Sequence, residues 1–500
     1  MSPTKGVKRK LKILYCSPEV APFSKTGGLG DVAWALPKAL AGLGHDVRVV
    51  TPLYAAIETR THGIREKIAS FSVQVGDRSH KGSLWEGVLP GTGVPVYFIG
   101  CPEYFDRKGL YQENGKDYPD NLQRFVFFCK ALLELPRWIS WKPHVVHAND
   151  WQTALVPVYL KTLVRGTDLY HGIRTVLTIH NLGYPGLFDR EMFPQTGLTW
   201  DLFAVEGLEF YGKGNLLKGG ILFADRLTTV SPTYGREILT PEYGFGLEGL
   251  FRRRAGDLEG VLNGADYDEW DPALDPHIAR TYSPRSLLGK QICKKALQKE
   301  CGFKRTDVPL VGMISRLDNQ KGIDLIKEIM DEIMQCDLQM VVLGSGMPVY
   351  QSWLKDLAGK YPDRFSVSLA FDNGLAHRIE AGSDIFLMPS RYEPCGLNQL
   401  YSLKYGTLPV ARRTGGLADT ITDFAPSTVR RKSANGFLFD HYASSDLLKV
   451  LLLATQVYGD KKIWKQMMKT AMEADFSWRR SAEDYGAVYR KALSQRRESQ

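Results

Sequence analysis

The sequence lacks the long apolar runs and paired cysteines that mark membrane proteins and disulfide-bonded proteins. It contains no stretch of about 18 consecutive uncharged apolar residues, so no membrane span is predicted. Its seven cysteines are scattered, and none has the Cys-x-x-Cys spacing of a zinc or redox site. The basic opening, Met1–Lys12, has no apolar core of the kind found in secretory signals. We therefore expect a reducing compartment, either the cytoplasm or, after processing, a plastid stroma.

The net charge of +9 comes from basic residues that are dispersed along the chain. Neither the aromatic pattern of an RNA-recognition module nor a zinc-finger spacing is present. Because dispersed charge is mostly solvated surface, no nucleic-acid partner is predicted. A phosphorylated small ligand is a sufficient anionic partner.

Short apolar runs alternate with amphipathic helical stretches along nearly the whole chain, which is typical of α/β proteins with parallel sheets. Five hundred residues are too many for one hydrophobic core, so at least two domains are predicted. One series of strands begins at Leu11–Cys16, and a second begins at Val308–Ser315. The Gly-, Asp- and Pro-rich segment Arg253–Pro276 separates them, and we expect the domain boundary near residues 258–262.

A six-residue pattern occurs once in each predicted domain. Residues 26–31 read Thr-Gly-Gly-Leu-Gly-Asp, and residues 414–419 read Thr-Gly-Gly-Leu-Ala-Asp. Each copy is predicted to follow a strand and open a helix, where glycines admit a ligand and free N–H groups bind an anion. A tight turn without a ligand is the alternative reading. Neither copy matches Gly-x-Gly-x-x-Gly, so a nicotinamide dinucleotide fold is not favoured.

Two cations follow the strand that ends near Ser315. Arg316 and Lys321 are predicted to neutralise a diphosphate leaving group without a metal, with Gly322 marking a turn behind them. The alternative is a pair of ordinary surface cations.

The segment Ser390–Leu397 follows the predicted strand Ile385–Met388. Glu393 is expected at the crest of this loop, where its carboxylate and the backbone amides of Cys395–Leu397 can bind sugar hydroxyls. A simple helix cap is the alternative. No histidine lies near Cys395 in the sequence, so we assign it a backbone role and not that of a nucleophile.

Polar residues also end two predicted strands of the first domain. His147 and Asp150 follow one strand, and His180 and Asn181 follow the next. A buried histidine of this kind is often a satisfied core group, but two such strand ends in one sheet favour a function. The spacing of His147 and Asp150 is not that of a zinc site. The Asp-x-Asp at 266–268 is interpreted as turn chemistry.

With these motifs in place, the sequence resembles the bacterial glycogen synthases and plant starch synthases over essentially its whole length. The matching stretches are Lys-Thr-Gly-Gly-Leu-Gly-Asp at 25–31, His-Ala-Asn-Asp-Trp at 147–151, Thr-Ile-His-Asn at 178–181, Asn-Leu-Leu-Lys-Gly-Gly at 215–220, Val-Ser-Pro-Thr-Tyr at 230–234, Leu-Asn-Gly-Ala-Asp-Tyr-Asp at 262–268, the segment 316–321, Ser-Arg-Tyr-Glu-Pro-Cys-Gly-Leu at 390–397 and Arg-Thr-Gly-Gly-Leu at 413–417. Several of these motifs are weak signals individually, but their order and spacing together are specific for this family.

The resemblance implies a GT-B fold, in which two Rossmann-like doubly wound domains face each other across a deep cleft. The implied domains are 1–259, completed by a C-terminal helix at 479–500, and 260–478. The implied reaction transfers glucose from ADP-glucose to the non-reducing end of an α-1,4-glucan with retention of configuration and releases ADP. The acceptor would be glycogen, amylose or amylopectin, and neither a metal nor another cofactor is implied. The compartment would be a bacterial cytoplasm or a plastid stroma.

The resemblance also implies roles for individual residues. Those assigned to catalysis are Glu393, His180, Arg316, Lys321 and Asp150. Those assigned to the donor are Lys25, Gly28, Asp31, Asn181, Asn215, Phe371, Cys395, Gly396, Leu397, Thr414 and Gly415. Phe371 would lie against the adenine, and the amides around Thr414 and Gly415 would assist with the diphosphate. Asp150 would lie on the acceptor side.

Two departures and two alternatives remain at this point. Tyr401 stands where many retaining GT-B enzymes carry a second glutamate, as it does in the glycogen and starch synthase group, and Asn149 precedes Asp150 where histidine is frequent. An α-glucan phosphorylase is one alternative, although no lysine motif for pyridoxal phosphate is evident. A non-catalytic glucan-binding or regulatory protein of the same fold is the other.

Overall fold

The computed structural model describes residues 10–113, 115–370 and 372–494. Its strands, in chain order, are β1 (Lys12–Cys16), β2 (Asp46–Pro52), β3 (Arg65–Val75), β4 (Arg78–Val88), β5 (Pro95–Gly100), β6 (Gln112–Glu113), β7 (Lys116–Asp117), β8 (Val145–Asn149), β9 (Arg174–Ile179), β10 (Leu187–Asp189), β11 (Glu209–Phe210), β12 (Lys213–Asn215), β13 (Arg226–Thr229), β14 (Leu258–Gly260), β15 (Leu310–Ile314), β16 (Gln339–Leu343), β17 (Phe365–Ser368), β18 (Ile385–Met388), β19 (Leu408–Arg412) and β20 (Phe437–Phe439).

The α-helices separate most of these strands. In chain order they are α1 (Gly28–Gly42), α2 (Pro102–Phe105), α3 (Asn121–Trp138), α4 (Leu155–Lys161), α5 (Leu216–Phe223), α6 (Pro232–Glu237), α7 (Glu248–Arg253), α8 (Leu288–Glu300), α9 (Ile323–Glu328), α10 (Met330–Gln335), α11 (Pro348–Lys360), α12 (Asn373–Gly382), α13 (Asn398–Lys404), α14 (Gly415–Thr420), α15 (Pro426–Arg430), α16 (Ser444–Gly459), α17 (Lys461–Glu473) and α18 (Trp478–Ser494). No helix in the described part of the chain is both long enough and apolar enough to cross a bilayer.

The described residues divide into two compact units. The first consists of the chain up to Val230, Gly235–Leu262 and the segment that begins at Trp478. The second consists of Ser231–Tyr234 and Asn263–Ser477. The break after Leu262 lies at the end of the expected range 258–262 and three residues after the implied limit at 259. Strand β14 pairs in parallel with β13 and so extends the first sheet to Gly260.

Helix α18 belongs to the first unit. The hydroxyl of Tyr489 on this helix lies 2.8 Å from Nδ1 of His147 on β8, and both side chains are buried. Residues 495–500 of the predicted returning segment lie outside the described residues.

The first unit is built on a sheet with the order β14-β13-β9-β8-β1-β2-β5-β4-β3. The strands from β14 to β5 pair in parallel and are mostly buried, as expected for strands covered on both faces. The order of these strands along the chain reverses between β1 and β8. In doubly wound sheets, such a reversal opens a crevice at the carboxyl ends of the strands, where ligands bind.

The alternation of strands and helices, expected along nearly the whole chain, is interrupted between β2 and β5. Here β3 and β4 form a long antiparallel hairpin that continues the sheet at one edge. Most of β3 is exposed on both faces, so it lacks the apolar run that identified the buried strands. A smaller antiparallel sheet, β10-β12-β11, was missed as well, because its strands are only two or three residues long.

The second unit is an all-parallel sheet with the order β17-β16-β15-β18-β19-β20. Numbered along the chain, this is the order 3-2-1-4-5-6 of a Rossmann sheet, and its reversal lies between β15 and β18. Apolar side chains of α9, α10, α11, α16 and α17 pack on one face of this sheet. The prediction of an α/β protein with two Rossmann-like doubly wound domains is confirmed.

Candidate active site

In the second unit, Lys321 and Glu393 meet beside the reversal between β15 and β18. The ammonium Nζ of Lys321 lies 2.6 Å and 2.9 Å from the two carboxylate oxygens of Glu393. The hydroxyl of Ser390 donates a third hydrogen bond, 2.9 Å long, to the same carboxylate. Glu393 lies in the loop after β18, as expected, and is only 5% exposed, and these two partners compensate for its burial.

Backbone contacts hold the two loops that carry this pair. The N–H of Arg391 donates to the carbonyl of Gln320 at 2.8 Å. Gly322 has φ +74°, and a Cβ there would lie 2.1 Å from the carbonyl oxygen of Pro389. Only glycine fits this conformation and approach without strain, so the turn behind Lys321 fixes its distance from Glu393.

Arg316 lies in the same loop but is more accessible than Lys321. Its side chain is 50% exposed, against 18% for Lys321, and it pairs with Asp318 at 3.1 Å. A guanidinium at this accessible edge can reorient toward a phosphate, whereas the Lys321 ammonium is held in place. The two predicted cations therefore follow the same strand, and the Arg316 side chain is more exposed and less constrained than that of Lys321.

The second copy of the repeated pattern contacts the loop of Glu393. The N–H of Gly416 donates to the carbonyl of Glu393 at 3.1 Å, and the N–H of Thr414 donates to the carbonyl of Arg412 at 3.0 Å. Gly415 has φ +44°, and a Cβ there would lie 1.9 Å from the Glu393 carbonyl oxygen. The expected role of the amides around Thr414 and Gly415 in binding an anion remains a prediction. The Gly416 bond joins this copy to the Glu393 loop.

The residues after Glu393 form a buried turn into α13. The Cys395 side chain is buried, and burial raises the pKa of its thiol to about 12, which disfavours a nucleophilic thiolate. Gly396 has φ +73°, and Leu397 is the residue before α13. Asn263, which the sequence argument did not select, is buried beside Cys395 with Oδ1 lacking a hydrogen bond. An unpaired buried amide oxygen of this kind is able to accept a bond from a ligand.

In the first unit, Asn149 and Asp150 hold His180 from two sides at the reversal between β1 and β8. Oδ1 of Asn149 lies 2.9 Å from Nε2 of His180, and Oδ1 of Asp150 accepts the His180 backbone N–H at 2.7 Å. Asn149 also accepts from the hydroxyl of Tyr15 at 3.1 Å and donates to the carbonyl of Cys16 at 2.9 Å. In the sequence, Asn149 stands out only as a departure from the family pattern. Its contacts join β8 to β1 and to the residue after β9, so they depend on three neighbouring strands.

The contact with Asn149 selects one form of the His180 ring. An amide oxygen only accepts, so Nε2 carries the proton and Nδ1 is the acceptor. Burial lowers the pKa of His180 to about 3, which keeps the ring neutral. His147 is different in kind: it is fully buried between Tyr489 and Thr178, and the structure makes it a core residue.

Asp150 has an unusual backbone and an unusual acidity. Its φ is +56°, which is uncommon for a residue with a Cβ and typical of functional positions. Burial raises the pKa of its carboxyl to about 7, although the backbone N–H groups of His180 and Asn181 oppose the shift. The side chain of Asn181 caps a turn by accepting the N–H of Gly183 at 3.0 Å.

Asn215 is fully buried and begins α5. Its Oδ1 accepts the N–H of Lys218 at 2.9 Å, as expected of a helix cap, but its Nδ2 has no hydrogen bond. This arrangement leaves one donor for a ligand. The expected contact of Asn215 with a sugar remains a prediction.

The first copy of the repeated pattern has a different partner from the second. The carboxylate of Glu19, 3% exposed, accepts hydrogen bonds from the backbone N–H of Thr26, from its hydroxyl at 3.1 Å and from the N–H of Gly27. Gly28 is exposed at the start of α1. A carboxylate of the chain itself thus occupies the amides that were expected to bind a ligand anion.

Lys25 and Asp31 flank this copy and pair with each other at 2.7 Å. Their side chains are 38% and 31% exposed, so the pair lies at the surface of the unit. Burial raises the pKa of Asp31, and the Lys25 charge opposes the shift. Their expected contact with the donor remains a prediction.

Glu19→Gln should remove a pH dependence of stability. Burial raises the pKa of Glu19 from 4.5 to about 7, so between these values the folded chain keeps a proton that the unfolded chain has released. The stabilising contribution is therefore complete below about pH 4.5 and lost as the pH rises through about pH 7. Urea unfolding measures the free energy of unfolding of both proteins. As the pH rises across this window, the value for the Gln variant should increase by about 3 kcal/mol relative to that for wild type. The exposed Glu66→Gln is the matched control, and a Glu19→Gln difference that does not change with pH would contradict the assignment.

Asn149→Asp should change the titration of His180. A carboxylate 2.9 Å from Nε2 stabilises the imidazolium, so the pKa of His180 should rise by about 2 units or more. Nitrogen NMR of labelled histidine measures both the proton position and the titration. Asn149→Ala is the control, because it removes the contact without adding a charge. A folded Asn149→Asp variant whose His180 titrates as in wild type would refute the contact.

Two expectations concern Phe371 and a bound metal. Phe371, predicted to lie against adenine, is outside the described residues. Within residues 10–113, 115–370 and 372–494, no group of three or more His, Cys, Asp or Glu side chains is arranged to hold a metal ion.

Known proteins match this chain over most of its length. Residues 12–253 match the family model of the starch synthase catalytic domain, and residues 295–465 match that of glycosyl transferases group 1. A glycogen synthase from Anaeromyxobacter sp. is 48% identical over 96% of this chain and 99% of its own length. A glycogen synthase from Geotalea daltonii is 47% identical over 97% of this chain and 100% of its own.

Solved structures give the same result. The catalytic domain of starch synthase IV from Arabidopsis thaliana, solved with ADP and acarbose, has a TM-score of 0.90 and 33% identity, covering 97% of this chain and 100% of its own. A sucrose-phosphate synthase from Thermosynechococcus elongatus, at 16% identity and TM-score 0.60 over 97% of this chain and 100% of its own, shares the fold. The fold and these matches thus define a GT-B glycosyltransferase. The chain belongs to the glycogen and starch synthase family.

Proposed function

We propose that this protein transfers glucose from ADP-glucose to the non-reducing end of an α-1,4-glucan with retention of configuration. The observation that supports this most strongly is the Lys321–Glu393 pair, with Arg316 in the same loop, at the strand reversal of the second unit. Two cations suit a diphosphate leaving group, and an adjacent carboxylate suits sugar hydroxyls. The related starch synthase IV was solved with ADP and the oligosaccharide analogue acarbose, which supports a nucleotide diphosphate and a glucan as ligands.

In this proposal the second unit binds the donor. Arg316 and Lys321 neutralise the diphosphate, and Glu393 accepts hydrogen bonds from the donor glucose. Backbone groups of Cys395, Gly396 and Leu397 contribute to the same sugar site. The amides around Thr414 and Gly415 assist with the diphosphate, and Phe371 is assigned to the adenine.

The first unit supplies neutral and acidic groups for the sugars. His180, kept neutral by burial, offers its backbone carbonyl and Nδ1, and Asn215 offers its unpaired Nδ2. Asn181 is assigned to the donor side and Asp150 to the acceptor side. Lys25, Gly28 and Asp31 are assigned to the donor, which Lys25 and Asp31 would approach when the cleft closes.

The proposed chemical step needs no protein nucleophile. The acceptor oxygen O4 attacks C1 of the glucose on the face from which the diphosphate departs. The bond from C1 to the phosphate oxygen breaks as the bond from C1 to O4 forms. The O4 proton passes to the departing phosphate oxygen, and ADP leaves. Arg316 and Lys321 act by stabilising the negative charge that develops on that phosphate.

Initial rates with two donors and two acceptors test the proposal. ADP-glucose and UDP-glucose are compared on glycogen and on amylopectin, with and without a chelator. We expect ADP release from ADP-glucose, a slower reaction with UDP-glucose and no effect of the chelator. Absence of ADP release would favour a non-catalytic glucan-binding protein. Orthophosphate-dependent cleavage with pyridoxal absorbance would favour a phosphorylase.

A further inference from the structure

An exposed aromatic surface of the first unit has no part in the site described above. It is formed by Phe210, Tyr211 and Phe245, which we call the aromatic patch. Tyr211 is at the tip of the β11–β12 hairpin and is 83% exposed, and Phe245 is 46% exposed. Large aromatic side chains are seldom this exposed without a ligand or partner.

Two of the three aromatic residues have strained backbones. The φ angle is +49° at Tyr211 and +50° at Phe245, and a glycine with positive φ follows each of them. A two-residue hairpin turn with two positive φ angles strongly favours Asn, Asp or Gly at its first position, not Tyr. Side chains with a Cβ disfavour this conformation, so the sequence keeps aromatic rings where smaller residues would relieve strain.

The strained residues also lie together. The rings of Phe210 and Tyr211 have centroids 4.7 Å apart and cross at 82°. A Cβ built on Gly246 would lie 3.0 Å from Cζ of Phe210 and 3.4 Å from Cε2 of Tyr211. The turn at Phe245–Gly246 therefore packs against the hairpin rings, which makes one continuous surface.

Polar groups border the patch. The carboxylate of Glu209 accepts the N–H of Gly212 at 2.7 Å, and Lys213 pairs with Asp189 at 3.1 Å. Lys213 and Asp189 are 56% and 69% exposed, so their remaining hydrogen-bonding capacity faces water. A rim that contains two carboxylates does not suit an anionic lipid surface.

Flat rings with hydrogen-bonding groups at their edge match the chemistry of a glucose polymer. Each glucose presents an apolar C–H face that packs on an aromatic ring and a rim of hydroxyls that reaches polar side chains. The hairpin also leads along β12 directly to Asn215, the proposed sugar contact at the start of α5. The patch is thus continuous in the chain with the proposed site.

We propose that the aromatic patch binds the α-glucan chain at glucose residues beyond its reacting end. This rests on the proposed function in one respect, namely that a glucan is the acceptor. The patch acts by retaining the polymer, so it affects affinity for long glucans and leaves the chemical step unchanged.

Tyr211→Gly separates ring loss from backbone effects. Glycine relieves the strain at φ +49°, so the melting temperature should stay equal or rise while the ring is lost. Affinity electrophoresis in gels that contain glycogen, without any donor, should show binding weakened roughly five- to tenfold. Tyr211→Phe keeps the ring and should bind within about twofold of wild type. Leu274→Ala, which removes another exposed apolar side chain, should bind as wild type does.

Kinetics then distinguish this inference from the proposed function. With ADP-glucose, Tyr211→Gly should raise KM for glycogen and leave kcat and the rate with maltose unchanged. Unchanged glycogen binding and KM in the Gly variant overturn the inference while leaving the proposed function intact. If sedimentation showed that Tyr211→Gly and wild type differ in oligomeric state, the patch would be a protein interface, and the inference would also be overturned. Failure of the wild-type protein to release ADP with any acceptor refutes the proposed function instead.

Discussion

Lys321→Ala is expected to lower kcat by about 10²- to 10³-fold, the cost of removing one donor from a site that stabilises developing charge. The substitution has two consequences here. It removes a cation assigned to the diphosphate, and it leaves the buried Glu393 carboxylate without its ion-pair partner while the Ser390 hydroxyl still donates a hydrogen bond. Losing one member of a buried ion pair should also cost roughly 3 kcal/mol of stability. Single-turnover kinetics measure the first effect, and urea unfolding measures the second.

A double variant separates these consequences. In Lys321→Ala with Glu393→Gln, the unpaired charge is removed, so stability should be largely restored. The rate should stay low, because the leaving group still lacks its cation. If the double variant recovered the rate of Glu393→Gln alone, Lys321 would serve only to neutralise Glu393. Lys327→Ala, an exposed lysine on α9, is the matched control and should react as wild type does.

Gly415→Ala is expected to lower kcat/KM by more than about 100-fold, because displacing a catalytic group by about 1 Å is enough for such a loss. The new Cβ would lie 1.9 Å from the carbonyl oxygen of Glu393, and φ at this position is +44°. The Glu393 loop must therefore move. Thermal unfolding should show a loss of about 2–4 kcal/mol from the clash and the backbone strain.

The first copy of the repeated pattern provides the matched control. Gly27 occupies the equivalent position, has an extended backbone with φ −159°, and a Cβ there would have no neighbour within 4 Å. Gly27→Ala should therefore stay within about twofold of wild type in kcat/KM. Equal losses in both variants would show that close approach to Glu393 is not the cause.

The sequence predicted the fold where strands are buried on both faces. Segments such as Leu310–Ile314 and Ile385–Met388 are short apolar runs followed by turns, and both are strands of the second sheet. The hairpin of β3 and β4 was missed because most of β3 is exposed, so apolar periodicity does not mark it. Edge strands of this kind depend on pairing with a neighbour, which a single sequence does not reveal.

The residue types at the strand ends of the site were predictable from the sequence, and the contacts that distant segments make were not. Arg316, Lys321 and Glu393 were selected from strand ends and charge, and the structure brings Lys321 and Glu393 into contact. The contact of Glu19 with the Thr26 loop was not foreseen, since it requires the chain after β1 to fold back on itself.

The network around Asn149 illustrates the same limit. It joins Tyr15 on β1 and His180 after β9 to a residue on β8, across 134 and 31 positions of sequence. Motif spacing gave the residue types at each strand end. The parallel pairing of the three strands made them neighbours, and their burial sets the pKa values of His180 and Asp150.

The central claim is that this chain transfers glucose from a nucleotide diphosphate donor to a glucan with retention. Proton NMR of a reaction with ADP-glucose and a maltooligosaccharide follows the anomeric signal of each new bond, while ADP is counted in parallel. The account predicts one ADP for each new glucosyl unit and an α-1,4 linkage in every unit added. A β linkage, or ADP release without chain extension, would contradict it.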